Sequence, residues 1–131
     1  MYNKIHVTVN RNSYKSRAQS LLKARNELSD GFSLGFFPEG GIRSSNFPKM
    51  VDFKDGAFRL AVEHQTPIVP VTFLNNYRIL KDDKLLSMRR GTCHIIYHPP
   101  IMPTVKGEVG IKKLRSQVFD VIQSELDKRN S

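Results

Sequence analysis

Short apolar runs that alternate with segments of helical period set the fold class of this chain. Residues 32–37 read FSLGFF, an apolar, aromatic run bounded by glycine and proline, which predicts a buried strand. Residues 67–74, PIVPVTFL, predict another, with Pro70 an odd member because proline cannot donate to a ladder. Near the start, Ile5, Val7 and Val9 alternate with His6, Thr8 and Asn10, a strand pattern ending near Arg11. Thr92 to Tyr97 gives a fourth strand, stopped by His98-Pro99-Pro100. Between these runs the period changes. Asn12 or Ser13 can cap a helix in which Ala18, Leu21, Leu22 and Leu28 recur at helical spacing, and Gly31 suits its end. Asp55 can cap a shorter helix running through His64, with Phe58, Ala61 and Val62 facing the core. From about Gly110 to Lys128, the residues Ile111, Leu114, Val118, Ile122 and Leu126 mark an amphipathic closing helix. Residues 75–91 are polar and basic and read as a loop or hairpin. Alternation of this kind predicts an α/β fold: a mixed, largely parallel sheet with flanking helices and right-handed crossovers.

A chain of 131 residues fits one domain, 1–131, and shows no internal repeat or low-complexity tract. That length can bury a core without covalent staples. The single cysteine, Cys93, excludes an internal disulfide framework and a multi-cysteine zinc site, and a reducing compartment is the natural expectation. The formal net charge is +9, which favours anionic partners: phosphates, nucleic acid or an acidic membrane face. No apolar stretch approaches the roughly 20 residues of a membrane span. The opening MYNKIHVTVNRNS lacks the continuous apolar segment of a secretory signal.

In α/β folds the ligand crevice lies beyond the carboxyl ends of the strands. Residues 36–45, FFPEGGIRSS, follow such an end. Gly40 and Gly41 let the backbone approach a ligand, and their amides can help cradle an anion. Arg43 offers a fork suited to phosphate oxygens, and Glu39 can accept a hydrogen bond from a sugar or glycerol hydroxyl. The alternative is an ordinary strand exit in which Glu39 and Arg43 pair with each other. Arg11 is a second candidate phosphate ligand, against the reading of a solvated arginine at a strand end. Lys54, before Asp55-Gly56, can face the same crevice or be one basic residue among twenty-one. Pro70 either shapes a pocket wall or occupies an edge or bulge.

Several other constellations are missing from the sequence. There is no GxxxxGK[ST] phosphate loop, no GxGxxG and no GxSxG nucleophile elbow. His94 and His98 stand four apart in a predicted strand without a clear acidic third ligand, so no metal site is expected there. Tyr77-Arg78 and Met88-Arg89-Arg90 lack the aromatic interleaving of a nucleic-acid face, and no nucleic-acid partner is expected.

Taken in order, these blocks resemble the PlsC-like glycerolipid acyltransferases, the family that includes the 1-acylglycerol-3-phosphate acyltransferases. Phe37-Pro38-Glu39-Gly40-Gly41-Ile42-Arg43-Ser44 is similar to the family's FPEGTRS block. Ile5 to Arg11 looks like the block whose terminal arginine contacts the substrate phosphate. Phe53-Lys54-Asp55-Gly56-Ala57-Phe58 resembles FKxGAF, and Pro67-Ile68-Val69-Pro70-Val71 resembles the final IVPV block. The likeness spans residues 5–74.

The resemblance implies a glycerol-3-phosphate acyltransferase-like fold and a matching set of roles. Arg11 and Arg43 would bind the acceptor's phosphate, Glu39 and Gly40 would help position its glycerol part, and Pro70 would belong to the pocket region; Gly41 and Lys54, read from the residues themselves, complete the expected substrate-binding set. The extra residue in Gly41-Ile42, where the simplest motif has one threonine, departs from the family pattern and makes the phosphate role of Arg43 less secure than that of Arg11. The implied reaction transfers a fatty acyl group from acyl-CoA or acyl carrier protein to lysophosphatidic acid, giving phosphatidic acid. It needs no metal or redox cofactor and runs at the cytoplasmic face of an anionic membrane. The family's general base and its orienting partner form a His-x-x-x-x-Asp block. Five residues after the four histidines this chain has Arg11, Val69, Pro99 and Pro103, none acidic. The expectation is therefore a C-terminal portion of an acyltransferase catalytic domain, N-terminally truncated, without its catalytic pair and inactive alone. The competing expectation is a non-catalytic basic α/β module held on anionic membrane lipid or nucleic acid.

Overall fold

A computed structural model describes residues 14–40, 47–79 and 90–130. The chain divides into two compact units, Met1–Phe36 and Phe37–Ser131. The strand expected at Ile5–Val9 and the capping residues Asn12 and Ser13 lie outside the described residues.

In the first unit, α1 covers Tyr14–Ser29. It stops where the sequence predicts. The Phe32 amide donates to the Glu27 carbonyl at 3.0 Å and the Gly31 amide to Leu28 at 3.1 Å, the paired bonds of a Schellman end. The strand expected over Phe32–Phe37 does not form a ladder among the described residues. Its Phe32, Phe36 and Phe37 are exposed, Phe37 by 84%. A strand exists through its neighbours, and an apolar run without a described partner strand forms no ladder.

The second unit contains α2 (Gly56–His64), β1 (Val71–Phe73), the short α3 (Asn76–Ile79), β2 (Ile95–Tyr97) and α4 (Gly107–Asn130). β1 and β2 pair antiparallel, Val71 opposite Tyr97 and Phe73 opposite Ile95. An isolated antiparallel bridge, Ile68 with Ile101, lies further along the same two segments, one residue out of the β1–β2 register. Among the described residues, all strand pairing is antiparallel, and the expected parallel component has no counterpart there. The mixed helix and strand content fits an α/β class.

Burial follows the helical stripes. Ile111, Leu114 and Val118 of α4 meet Phe58, Ala61 and Val62 of α2 and Phe53 before it, and Ile122, Ile68, Ile101 and Met50 pack around them. Phe53 stacks near Phe58 and meets Phe119 edge-on, with ring centroids 5.0 Å apart. Asp55 takes the N-cap position of α2, but its side chain makes no cap hydrogen bond. Its carboxylate instead accepts from the Arg115 guanidinium at 2.7 Å. Arg59 reaches Glu108 at the same distance, and that hydrogen bond raises the Arg59 pKa. Both pairs tie α2 to α4 but are part-exposed, so each contributes only about 0–1 kcal/mol. α2 ends at Gln65, whose left-handed φ of 51° lets its amide reach the carbonyls of Ala61 and Val62.

The sheet's inner position is polar. Thr72 is fully buried, and its hydroxyl lies 2.8 Å from His98 Nε2. Asn75 clamps the other end, accepting from the His94 amide at 3.0 Å and donating to the Thr92 carbonyl.

Candidate functional site

The stretch Phe37–Gly40 is a β-turn. The Gly40 amide donates to the Phe37 carbonyl at 3.0 Å, and Pro38 occupies the second position, which suits its fixed φ. Gly40 follows with φ of 72°, a left-handed conformation that glycine adopts without a Cβ penalty.

Two hydrogen bonds hold this turn against the segment before α2. The Lys54 amide donates to the Pro38 carbonyl at 2.8 Å, and the Val51 amide donates to Glu39 Oε2 at 3.1 Å. The second is charge-assisted and part-buried, so it fixes the Glu39 side chain as well as the loop. The other carboxylate oxygen makes no hydrogen bond to the described residues. Lys54 runs its stem alongside Gly40: Cγ and Cε lie 3.7 and 4.0 Å from where a Cβ on Gly40 would stand. The exposed ammonium therefore sits near the turn, with no ion pair to any described residue.

The structure thus brings together Glu39, Gly40 and Lys54 of the predicted site. Arg11, Gly41 and Arg43 lie outside the described residues. Pro70 takes no part in these hydrogen bonds. It is fully buried immediately before β1, opposite His98, where its carbonyl accepts the His98 amide at 3.0 Å and proline has no amide hydrogen to return the bond. The arrangement can do a limited piece of chemistry: it offers a fixed carboxylate oxygen, a cation and a glycine turn to one ligand. A polar surface cleft lined by Asp52, Phe53, Arg115, Ser116, Phe119 and Asp120 includes none of the three.

Residues 1–74 match the family model described as Acyltransferase. The chain belongs to the acyltransferase family. A 1-acyl-sn-glycerol-3-phosphate acyltransferase of Chlamydomonas reinhardtii is 31% identical over 121 residues, covering 92% of this chain and 36% of that protein. The enzyme of the same name from Borreliella burgdorferi is 30% identical, covering 92% of this chain and 47% of its own length. The human alpha enzyme is 36% identical over 78 residues, 60% of this chain and 26% of that protein. The chain thus spans a quarter to a half of the length of these relatives. No solved structure matches it significantly.

The acyltransferase match ends at residue 74, so α4 lies beyond it. Among the described residues, no helix is long and apolar enough to cross a membrane. Two residues that shape the site, Val51 and Met50, carry no sequence signal, because they act through backbone amides.

Proposed function

We propose that this chain is the acceptor-binding part of a 1-acyl-sn-glycerol-3-phosphate acyltransferase, a single domain forming the C-terminal portion of the catalytic domain. The observation that carries the reading is the Pro38–Gly40 turn fastened to Val51 and Lys54, within a chain of this family. In this reading Lys54, Arg11 and Arg43 supply positive charge to the acceptor's phosphate. The second oxygen of Glu39 accepts from a glycerol hydroxyl, and Gly40 and Gly41 allow the close approach. The acyl group comes from acyl-CoA or acyl carrier protein and passes to lysophosphatidic acid, giving phosphatidic acid, without a metal or redox cofactor. A net charge of +9 suits phosphorylated substrates and peripheral contact with an anionic bilayer at its cytoplasmic face, and nucleic acid is not a partner. β1 and β2 then form one antiparallel margin of a larger, mostly parallel sheet.

Acyl transfer to a hydroxyl needs a base, and no histidine here is followed by aspartate at the family's spacing. The base therefore comes from sequence other than these residues, and the polypeptide by itself turns over no substrate.

A soluble short-chain lysophosphatidate titrated into the ¹⁵N-labelled chain tests the binding claim. Amide shifts at Glu39, Gly40, Val51 and Lys54, weakened about tenfold by Lys54→Ala, are the expected result. Shifts elsewhere only, or equal shifts with an uncharged monoacylglycerol, would overturn it. Assay with acyl-CoA and lysophosphatidic acid tests the second claim: phosphatidic acid formed by the wild type but not by Glu39→Ala would show that the chain is active alone.

A further inference from the structure

α4 reaches the acceptor-side turn through a relay of hydrogen bonds. Gln123, on the last third of that helix, accepts the Met50 amide hydrogen on its Oε1 at 3.0 Å. The two residues are 73 apart in sequence. On its other side, Gln123 Nε2 donates to Asp127 Oδ1 at 2.9 Å, one helical turn onward. A carboxylate can only accept here, so Asp127 fixes which way the Gln123 amide faces and leaves Oε1 aimed at Met50. The next amide, Val51, donates to Glu39. Consecutive backbone amides are thus held by opposite partners: Met50 by α4, Val51 by the turn.

We propose that Gln123 and Asp127 are positioning residues for the acceptor-binding turn, holding the 50–54 segment where Val51 can fix Glu39. The proposal rests on the acceptor reading above for its functional meaning. Its geometry stands independently. Side chains at i and i+4 share one helix face, so the oriented amide depends on α4 being formed and docked. Docking is secured by Ile122 and Leu126, which flank the pair on the buried side, Ile122 packing against the core. A loop amide with one fixed partner on each side has few alternative conformations, and the Glu39 carboxylate then needs no rearrangement to receive a ligand hydroxyl. The helix that orients the site is thereby one that the family match does not include.

The test uses the full ¹⁵N-labelled chain, hydrogen exchange and titration with the same short-chain lysophosphatidate. Gln123→Leu removes the acceptor while keeping bulk. The expected result is Val51 amide exchange faster by about three- to tenfold and lysophosphatidate binding weaker by a similar factor, with the Leu114 and Val118 amides unchanged. The double variant Gln123→Glu with Asp127→Asn moves the charge along the helix but restores both bonds: the new carboxylate accepts from Met50 and the new amide donates to it. Recovery of Val51 protection and of binding in the double variant supports positioning. Unchanged Val51 exchange in Gln123→Leu overturns the proposal, as does faster exchange with undiminished binding. If the wild type does not bind lysophosphatidate while Val51 exchange still responds, the acceptor reading fails and takes the functional role of the relay with it.

Discussion

The Val51 amide donates to the carboxylate of Glu39 across 3.1 Å, so the acid of the glycine turn is held by backbone rather than left to solvent. That single bond changes what Glu39 can be. A surface glutamate samples many rotamers, whereas this one is held by a backbone amide, in the turn whose Gly40 the Lys54 stem runs alongside.

Removing the acceptor exposes the value of that bond. Glu39→Ala leaves the part-buried Val51 amide unpaired and lowers stability by about 1–2 kcal/mol. Glu39→Gln keeps a carbonyl acceptor at the same reach and loses less than half of that. Urea denaturation of the two variants checks the order, and equal losses would mean that charge, not hydrogen bonding, holds the turn.

Gly40 is a backbone position before it is a contact position. At φ of 72° an L side chain is strained by roughly 1–2 kcal/mol, while a Cβ there would meet Lys54 Cγ at an ordinary 3.7 Å. Gly40→Ala should therefore cost about 1–2 kcal/mol, all of it conformational. Gly40→Asn should cost less, since asparagine tolerates the left-handed region better. Thermal melts of both variants give the comparison, and a larger loss for Asn would point to crowding against Lys54 instead.

How much of this was legible in the sequence follows from the range of each interaction. The α4 stripe of Ile111, Leu114 and Val118 reads directly, because helical period is a local signal and those residues are the core. The α1 stop at Gly31 reads for the same reason. Asp55 shows where local reasoning ends: its position before α2 is as expected, but Arg115, sixty residues away, takes its carboxylate. Phe32–Phe37 shows the reverse failure, since an apolar run announces burial without naming a strand to pair with. Around the turn, Glu39, Gly40 and Lys54 stand out in the sequence as candidates by residue type. Their fastening by Val51, Met50 and Gln123 does not, because backbone amides have no sequence signature and Gln123 is an ordinary glutamine on a helix surface.

Thr72 and His98 form the polar contact of the sheet interior, with Thr72 wholly buried. Thr72→Val keeps the shape and removes the hydroxyl, so the loss isolates the hydrogen bond. We expect about 1 kcal/mol for that variant, and a coupling of similar size when it is combined with His98→Phe in a double-mutant cycle. Additive losses would mean that the two residues stabilise the sheet separately.

Gly110 gives the sharpest steric prediction. It is buried in the first turn of α4, and a Cβ there would run into the carbonyl of Val105, outside the helix. Elsewhere in a helix Gly→Ala gains roughly 1 kcal/mol from propensity alone. Here the new methyl group meets backbone, which cannot rotate away as a flexible side-chain tip can. The segment 103–106 must shift, or the first turn of α4 must unwind, and the Arg59–Glu108 pair that crosses to α2 goes with it. Gly110→Ala should therefore destabilise by about 2–4 kcal/mol, the range of overpacked cores and beyond. Trimming Val105 to alanine leaves its carbonyl in place and so should not rescue the variant. A thermal melt in which Gly110→Ala is neutral or stabilising would show that the approach of Val105 to α4 is looser than the geometry here.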